Sequence, residues 1–269
     1  MFGLGRNVYG LGAIALGVIG LIWGDFAAVW QPVPDALPGR KLLAYAFAAA
    51  FLAAGAAVQW RRTWRWGAYA LVALYGVIVL LVHAPRVMIH PTQFSPWTGL
   101  AEQLGLFAGG VAVLATAPDT SPDVARRLGR LARLIFGVCL ISFAAAHFVY
   151  LPETGSMVPK WLPPGATFWA FATGVAQLAA AVAILADFLS LLAARALTAM
   201  YLLFGVLVHA PLVIADPKSH MNWCGNAVNL SLAGAAWAIA DLIARRRAAQ
   251  ASEPQLATQR LGAEAALTE

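Results

Sequence analysis

The sequence predicts an all-α, polytopic integral membrane protein whose eight transmembrane helices form two parallel four-helix repeats. Two observations lead to this prediction: the chain is strongly apolar throughout, and its two halves share a constant register. Of its 269 residues, 61% are hydrophobic and 11% are charged, against about 45–50% and about 25% in soluble domains. Together with the mean hydropathy of +0.73, this excludes a soluble enzyme and a disordered chain.

Eight apolar runs of the length that crosses a bilayer follow one another along the chain. Helices are expected because lipid offers the backbone no hydrogen-bond partner and because the runs lack the alternation of barrel strands. The predicted spans lie near residues 8–30, 40–60, 67–89, 99–117, 131–151, 166–186, 190–214 and 225–244. A first repeat, a cytoplasmic linker, a second repeat and a mobile cytoplasmic tail are expected at residues 1–117, 118–130, 131–247 and 248–269.

Basic residues are distributed unequally between the two sides of this topology. Thirteen Lys and Arg residues fall on the side of the termini and five on the other side. The positive-inside rule therefore predicts that both termini are cytoplasmic. Because these charges orient the spans, we expect the lipid bilayer and not nucleic acid as the partner. The predicted periplasmic connections are residues 31–39, 90–98, 152–165 and 215–224.

The second half of the chain repeats the first at a shift of 126 residues. Val82–Pro85 coincides with Val208–Pro211 at this shift. Asp25 coincides with His147 at a shift of 122, which indicates about four extra residues in the first outer loop of the second half. A register kept over about sixty residues predicts a tandem duplication. Four spans per unit give both units the same orientation in the membrane.

A four-helix unit of this kind, with the stretches Leu21–Phe26 and Leu81–Arg86, resembles the DoxX-like family of bacterial membrane proteins. The unit is present twice and covers about residues 7–244. The resemblance implies a location in the bacterial inner membrane. Relatives include subunits linked to quinone or sulfur-compound oxidation and thiol-redox partners with cysteine pairs. Since Cys139 and Cys224 lie in separate runs and form no CxxC pair, thiol redox chemistry is not expected.

Ionisable residues within the predicted spans concentrate at the outer side, where all five histidines fall. Such groups at membrane depth usually face a cavity or pair with one another, so we expect an outward-facing pocket that binds a ligand. The candidate ligand-binding residues are Asp25, His83, Arg86, Glu102, His147 and His209. Neither a catalytic motif nor the spacing of a specific metal site accompanies them. Catalytic residues, a metal and enzyme activity are therefore left open.

A His-Ala-Pro motif occurs once in each half. Because proline lacks the N–H that a helix needs, a kink is expected beside His83 and His209. Two roles are open for these histidines. Either each histidine hydrogen-bonds a neighbour at the break, or the two converge near the pseudo-two-fold axis and form the floor of the pocket.

Two charges occur together in the first half and are absent together from the second. Arg86 and Glu102 coincide there with Leu212 and Val228. This pattern predicts an ion pair between Arg86 and Glu102 at the outer ends of their helices.

These observations predict an inner-membrane protein with a periplasm-facing polar pocket that binds a small molecule or a redox cofactor, as in a quinone-linked or electron-transfer subunit. A quinone or a haem is the candidate cofactor. A small-molecule transporter is the first alternative, favoured by the duplication and the broken helices. The second is a membrane scaffold or assembly protein whose polar end binds a membrane or periplasmic protein partner.

Overall fold

A computed structural model describes residues 3–266, with side chains described up to residue 252. That part of the chain contains α-helices, short 3₁₀ and π turns, and no β-strand. Eight of its helical segments are long and apolar enough to cross a membrane. The chain is therefore a multi-pass membrane protein, and the predicted all-α polytopic fold is confirmed. In chain order the helices are α1 (Leu4–Trp23), α2 (Arg40–Gln59), α3 (Trp64–Ile78), α4 (Ala84–Ile89), α5 (Phe94–Ala115), α6 (Pro122–Val149), α7 (Leu151–Met157), α8 (Ala166–Leu185), α9 (Ser190–Phe204), α10 (Ala210–Ala215) and α11 (His220–Ala266).

Some helices begin or end away from the predicted bounds. The first ends at Trp23 and not near residue 30, because Gly24 adopts a left-handed conformation with φ 63°, which terminates a helix. Helix α6 begins at Pro122, a residue suited to the first helical turn, so most of the predicted linker is helical. Helix α11 continues to Ala266. The mobility of the tail stays a prediction, and residues 267–269 lie outside the described residues.

The breaks expected at the two His-Ala-Pro motifs take the form of π turns. Val79–His83 joins α3 to α4, and Gly205–His209 joins α9 to α10. The backbone N–H of Ala84 donates to the carbonyl of Val79, five residues back, and Ala210 does the same to Gly205. A proline ring clashes with the carbonyl four residues before it, and the wider π turn accommodates that carbonyl. Each pair therefore forms one continuous membrane span.

The bounds of the helices repeat between the halves. Every bound from the start of α2 to the end of α4 recurs 126 residues later, from the start of α8 to the end of α10, and both π turns obey the same shift. Identical bounds mean that the two halves use the same local backbone plan. Within this stretch, differences between the halves therefore come from side chains.

The two four-helix units interlock. Helix α1 packs against α2 of its own half and against α11 of the second half, and it makes few contacts with α5. Helix α6 correspondingly packs against α8 of its own half and against α5 of the first half. Helices α5 and α11 contact each other at the centre. They are also the most buried spans, with 67% and 78% of their apolar windows buried. A Cβ at Gly234 of α11 would lie 2.8 Å from the carbonyl carbon of Val8, so glycine is required for this close approach of α1.

Ion pairs hold the arginine-rich end of the bundle together. Asp187, in the turn between α8 and α9, accepts from Arg133 at 2.7 Å and from Arg246 at 2.5 Å. Its side chain is 31% exposed. Partial burial by itself raises the pKa of this carboxyl, but the hydrogen bonds from Arg246, Ser190 and Arg133 outweigh burial and lower the pKa to about 2. The side chain therefore links α6, the α8–α9 turn and α11 as an anion.

Candidate functional site

The centre of the histidine-bearing end is occupied by a short turn of the loop between α1 and α2. Residues Ala28–Trp30 form a 3₁₀ turn that contacts both central helices, α5 and α11. Nε2 of His83 lies 3.0 Å from the carbonyl oxygen of Trp30, so that nitrogen carries the proton and donates it. His83 is only 2% exposed. Its imidazole therefore fixes the turn against the π turn of the first half.

The second histidine approaches the same tryptophan from the other half. A Cβ at Gly225 would lie 3.1 Å from Cη2 of Trp30 and 3.4 Å from Nδ1 of His209. In the first half a Cβ at Gly99 would lie 2.9 Å from the His83 ring. Each imidazole thus packs against a glycine of a central helix, and both histidines approach Trp30. His209 is half-buried and makes no hydrogen bond with the described residues.

Glu102 lies in this central group, but the predicted ion pair with Arg86 is wrong. The Glu102 carboxyl lies near the Trp30 side chain. Among the described residues no Lys or Arg nitrogen comes within 4.0 Å of it. Arg86 is exposed. It follows the π turn, and one extra residue in that turn rotates later side chains by about 100° around the helix axis.

Asp25 and His147 occupy equivalent positions in the two halves but have different partners. The Asp25 carboxylate forms an ion pair with Arg40 at 2.6 Å and accepts a hydrogen bond from the backbone N–H of Phe26 at 2.6 Å. Nδ1 of His147 lies 3.0 Å from the Thr173 hydroxyl. The structure therefore brings His83, His209 and Glu102 together around Trp30. It leaves Asp25, His147 and Arg86 in other surroundings.

Asp25 borders a small polar cavity between α1, α2 and α11. The cavity volume of about 10 Å³ matches a single water molecule. Gln31, His220 and Cys224 also line it, and Nε2 of His220 is buried without a hydrogen-bond partner among the described residues. The Trp23 ring stacks on the His220 ring at 5.2 Å. Within the described part of the chain, no group of three or more His, Cys, Asp or Glu side chains is placed to hold a metal ion.

No sequence pattern predicts that Trp30 lies at the centre of this group. The 3₁₀ turn that directs it inward depends on a left-handed Ala28 with φ 43°. Such a conformation is uncommon for a residue other than glycine, and nothing in the local sequence announces it.

Comparisons with known proteins concern the second half. A family model described as a domain of unknown function (DUF8561) matches residues 136–240. The matched segment runs from within α6 to within α11 and includes His147 and His209. No curated protein and no solved structure matches the chain.

Proposed function

We propose that this chain is a bacterial inner-membrane protein that binds a small molecule at its outer end, as a quinone-linked or electron-transfer subunit. In this proposal both termini are cytoplasmic, the two halves arose by tandem duplication of a DoxX-like unit, and the histidines face the periplasm. The thirteen-to-five division of Lys and Arg supports the orientation. Cysteine-accessibility labelling tests the orientation. We expect a cysteine introduced at residue 128 to react from the cytoplasmic side and one introduced at residue 156 to react from the periplasmic side. Reversed labelling contradicts it.

The binding function is supported by one arrangement: the half-buried Glu102 carboxyl and two imidazoles lie around Trp30, and the carboxyl has no basic partner among the described residues. Ionisable side chains at membrane depth are unfavourable unless they pair or serve a ligand. Glu102 has no Lys or Arg within ion-pair distance among the described residues. His209 has no hydrogen bond there either. Both groups are thus available to a molecule that exchanges hydrogen bonds or protons.

The chemistry of these groups favours a quinone over a haem. A metal requires each imidazole nitrogen at about 2 Å, whereas Nε2 of His83 already lies 3.0 Å from the Trp30 carbonyl. A neutral imidazole at His209 has one donor and one acceptor nitrogen, and Glu102 holds or releases a proton. A ligand with carbonyl and hydroxyl forms, such as a quinone and its quinol, matches both groups.

The purified protein tests the proposal in two steps. Its absorption spectrum reports a chromophore that copurifies, and titration with a short-chain quinone gives a dissociation constant. We expect His209→Leu and Glu102→Gln each to weaken quinone binding at least tenfold. Glu153→Gln is the matched control, because Glu153 is exposed in α7. Unchanged binding in both variants overturns the quinone site.

A transporter is the second candidate because both halves carry a π turn at the same position, and paired helix irregularities in the two repeats are typical of transporters built from repeats. Vesicles containing the protein distinguish the two. Flux of a quinone-like solute that depends on His209 supports transport. Binding without flux supports the electron-transfer proposal.

A further inference from the structure

A lateral groove lies between the α9–α10 span and α11. Its volume is about 310 Å³. Val206, on its rim, is 67% exposed on the outer surface of the bundle, which in a multi-pass membrane protein faces lipid. The groove is therefore accessible from the bilayer. Its lining includes Leu202, Gly205, Val206, Ala210, Asn226 and Asn229.

The groove results from side chains that differ between the halves. At the shift of 126 residues, Gly205 and Asn226 coincide with Val79 and Leu100. Val79 is buried in the first half, with 8% of its surface exposed, so its side chain occupies space that Gly205 leaves empty. Since both halves contain the same π turn, the turn alone does not create the groove.

The lining selects an uncharged ligand with a hydrogen-bonding oxygen. None of the groove residues is charged, so an anionic lipid head group finds no counter-charge there. Asn229 donates its amide to the carbonyl of Tyr201 at 2.9 Å, whereas the Asn226 amide makes no hydrogen bond with the described residues. An amide that borders hydrocarbon without a partner is unfavourable. A ligand oxygen satisfies it.

We infer that this groove binds an uncharged, membrane-soluble molecule whose carbonyl or hydroxyl oxygen hydrogen-bonds Asn226. The volume is at the lower end of the range for ligand pockets, about 300–1,000 Å³, which fits a small head group with a short length of chain. The site goes beyond the proposed function, because none of His83, Glu102 and Trp30 lines it. The ligand enters it sideways from the membrane and not from the periplasm.

Photolabelling of the full chain in vesicles tests this inference. Three probes share one diazirine-bearing alkyl chain and differ at its end: an alcohol, a hydrocarbon and a carboxylate. Labelled peptides are quantified by mass spectrometry at residues 202–210 and 226–230. We expect the alcohol to label these peptides at least tenfold more than the hydrocarbon or the carboxylate. Equal labelling by all three, or preference for the carboxylate, overturns the ligand class.

Two variants assign the labelling to the groove. Gly205→Val introduces the residue found in the first half, and we expect it to lower alcohol labelling at least tenfold. Gly205→Ala is the milder form, because its Cβ meets only the end of the Asn229 side chain, at 3.1 Å. Asn226→Leu should reduce alcohol labelling to the level of the hydrocarbon. Alcohol labelling that is unchanged in these folded variants overturns the site.

Gly76→Ala is the matched control in the first half, where the nearest atom to its Cβ is a Phe107 ring carbon at 3.5 Å. It should leave labelling unchanged. The outcome is separate from that of the quinone titration. Labelling is measured at the groove peptides with Glu102 and His209 intact. The quinone titration can therefore contradict the central site while the labelling supports the groove, and the labelling can contradict the groove while the titration supports the central site.

Discussion

The two π turns have the same backbone and different surroundings. Each ends in a histidine that packs against a glycine of a central helix. His83 is buried and bonded to the Trp30 carbonyl, whereas His209 is half-buried, makes no hydrogen bond with the described residues and lies beside an open groove. The shared backbone therefore supplies two equivalent positions. The surrounding side chains then decide which histidine is available.

The loops at the histidine-bearing end account for much of this asymmetry. In the first half the loop after α1 folds into the 3₁₀ turn that reaches α5 and α11. In the second half the corresponding loop forms α7, which packs against α6 and α8. One loop thus covers the centre of the histidine-bearing end, and the other lies at the side. Trp30 packs beside both histidines, of which His83 is buried and His209 is half-buried.

The largest effect is expected from a methyl group at the contact of α1 with α11. The Cβ of Gly234→Ala would overlap the backbone of Tyr9, so α1 must move away from its partner in the other unit. We expect the free energy of unfolding to fall by at least about 3 kcal/mol, which is above the usual cost of overpacking. Thermal unfolding in detergent measures this change. The equivalent residue in the first half is Ala108, which is buried without conflict.

Gly105→Ala is the control for this prediction, because its Cβ would lie 3.4 Å from the Phe143 ring. It should change stability by no more than about 0.5 kcal/mol. Equal effects of the two alanines would contradict the close approach of α1 and α11.

The second prediction compares the two histidines directly. His83→Leu removes the hydrogen bond to the Trp30 carbonyl and leaves that oxygen without its partner. We expect a loss of about 1–3 kcal/mol. His209→Leu breaks no hydrogen bond within the described residues and should change stability by less than about 0.5 kcal/mol. If the two variants unfold at the same temperature, the asymmetry of the two turns is wrong.

The membrane spans were predictable because each is a run of about twenty apolar residues, which is the length that a helix needs to cross a bilayer. The shift of 126 residues further placed equivalent residues at equal depth. The interlocking of the units was not predictable. Stripes of small residues allow close packing, but they do not say whether α1 meets the fourth helix of its own unit or that of the other.

The central site was predicted only in part. Depth within the predicted spans selected six ionisable residues, and the structure brings only His83, His209 and Glu102 together. Trp30 was missed because its position depends on the left-handed Ala28, a backbone state without a sequence signal. The groove had a signal: the register aligns Gly205 with Val79, and a glycine opposite a buried valine indicates empty space.

The third prediction concerns the arginine-rich end, where the halves also differ: Asp187 coincides with Arg61 in the first half. We expect Asp187→Asn to cost about 1–2 kcal/mol at neutral pH, between the values for exposed and buried ion pairs. The folded pKa of Asp187, about 2, lies below the unfolded value of about 3.9. Its contribution is therefore complete above about pH 4 and is lost as the pH falls through 2.

Thermal unfolding of both proteins between pH 2 and 7 checks this dependence. The difference in the free energy of unfolding between the wild type and Asp187→Asn should stay constant down to about pH 4 and should decrease at lower pH. Asp123→Asn is the control, since the Asp123 side chain is 75% exposed, and it should have little effect at any pH. A difference that grows on acidification would contradict the proposed ion pairs.

The smallest effect is expected from replacing Arg86 and Glu102 by their second-half equivalents. Arg86 is exposed and forms no ion pair among the described residues, so Arg86→Leu should change stability by less than about 0.5 kcal/mol. Glu102→Val removes a carboxyl that neighbours Trp30 and should act independently of Arg86. The double variant in detergent should then equal the sum of the single variants within about 0.5 kcal/mol. A coupling energy of about 3 kcal/mol, as expected when one partner of a buried ion pair is removed, would contradict this prediction and support an ion pair between Arg86 and Glu102. Additivity instead shows that Arg86 and Glu102 do not interact and that Glu102 acts with the groups around Trp30 independently of Arg86.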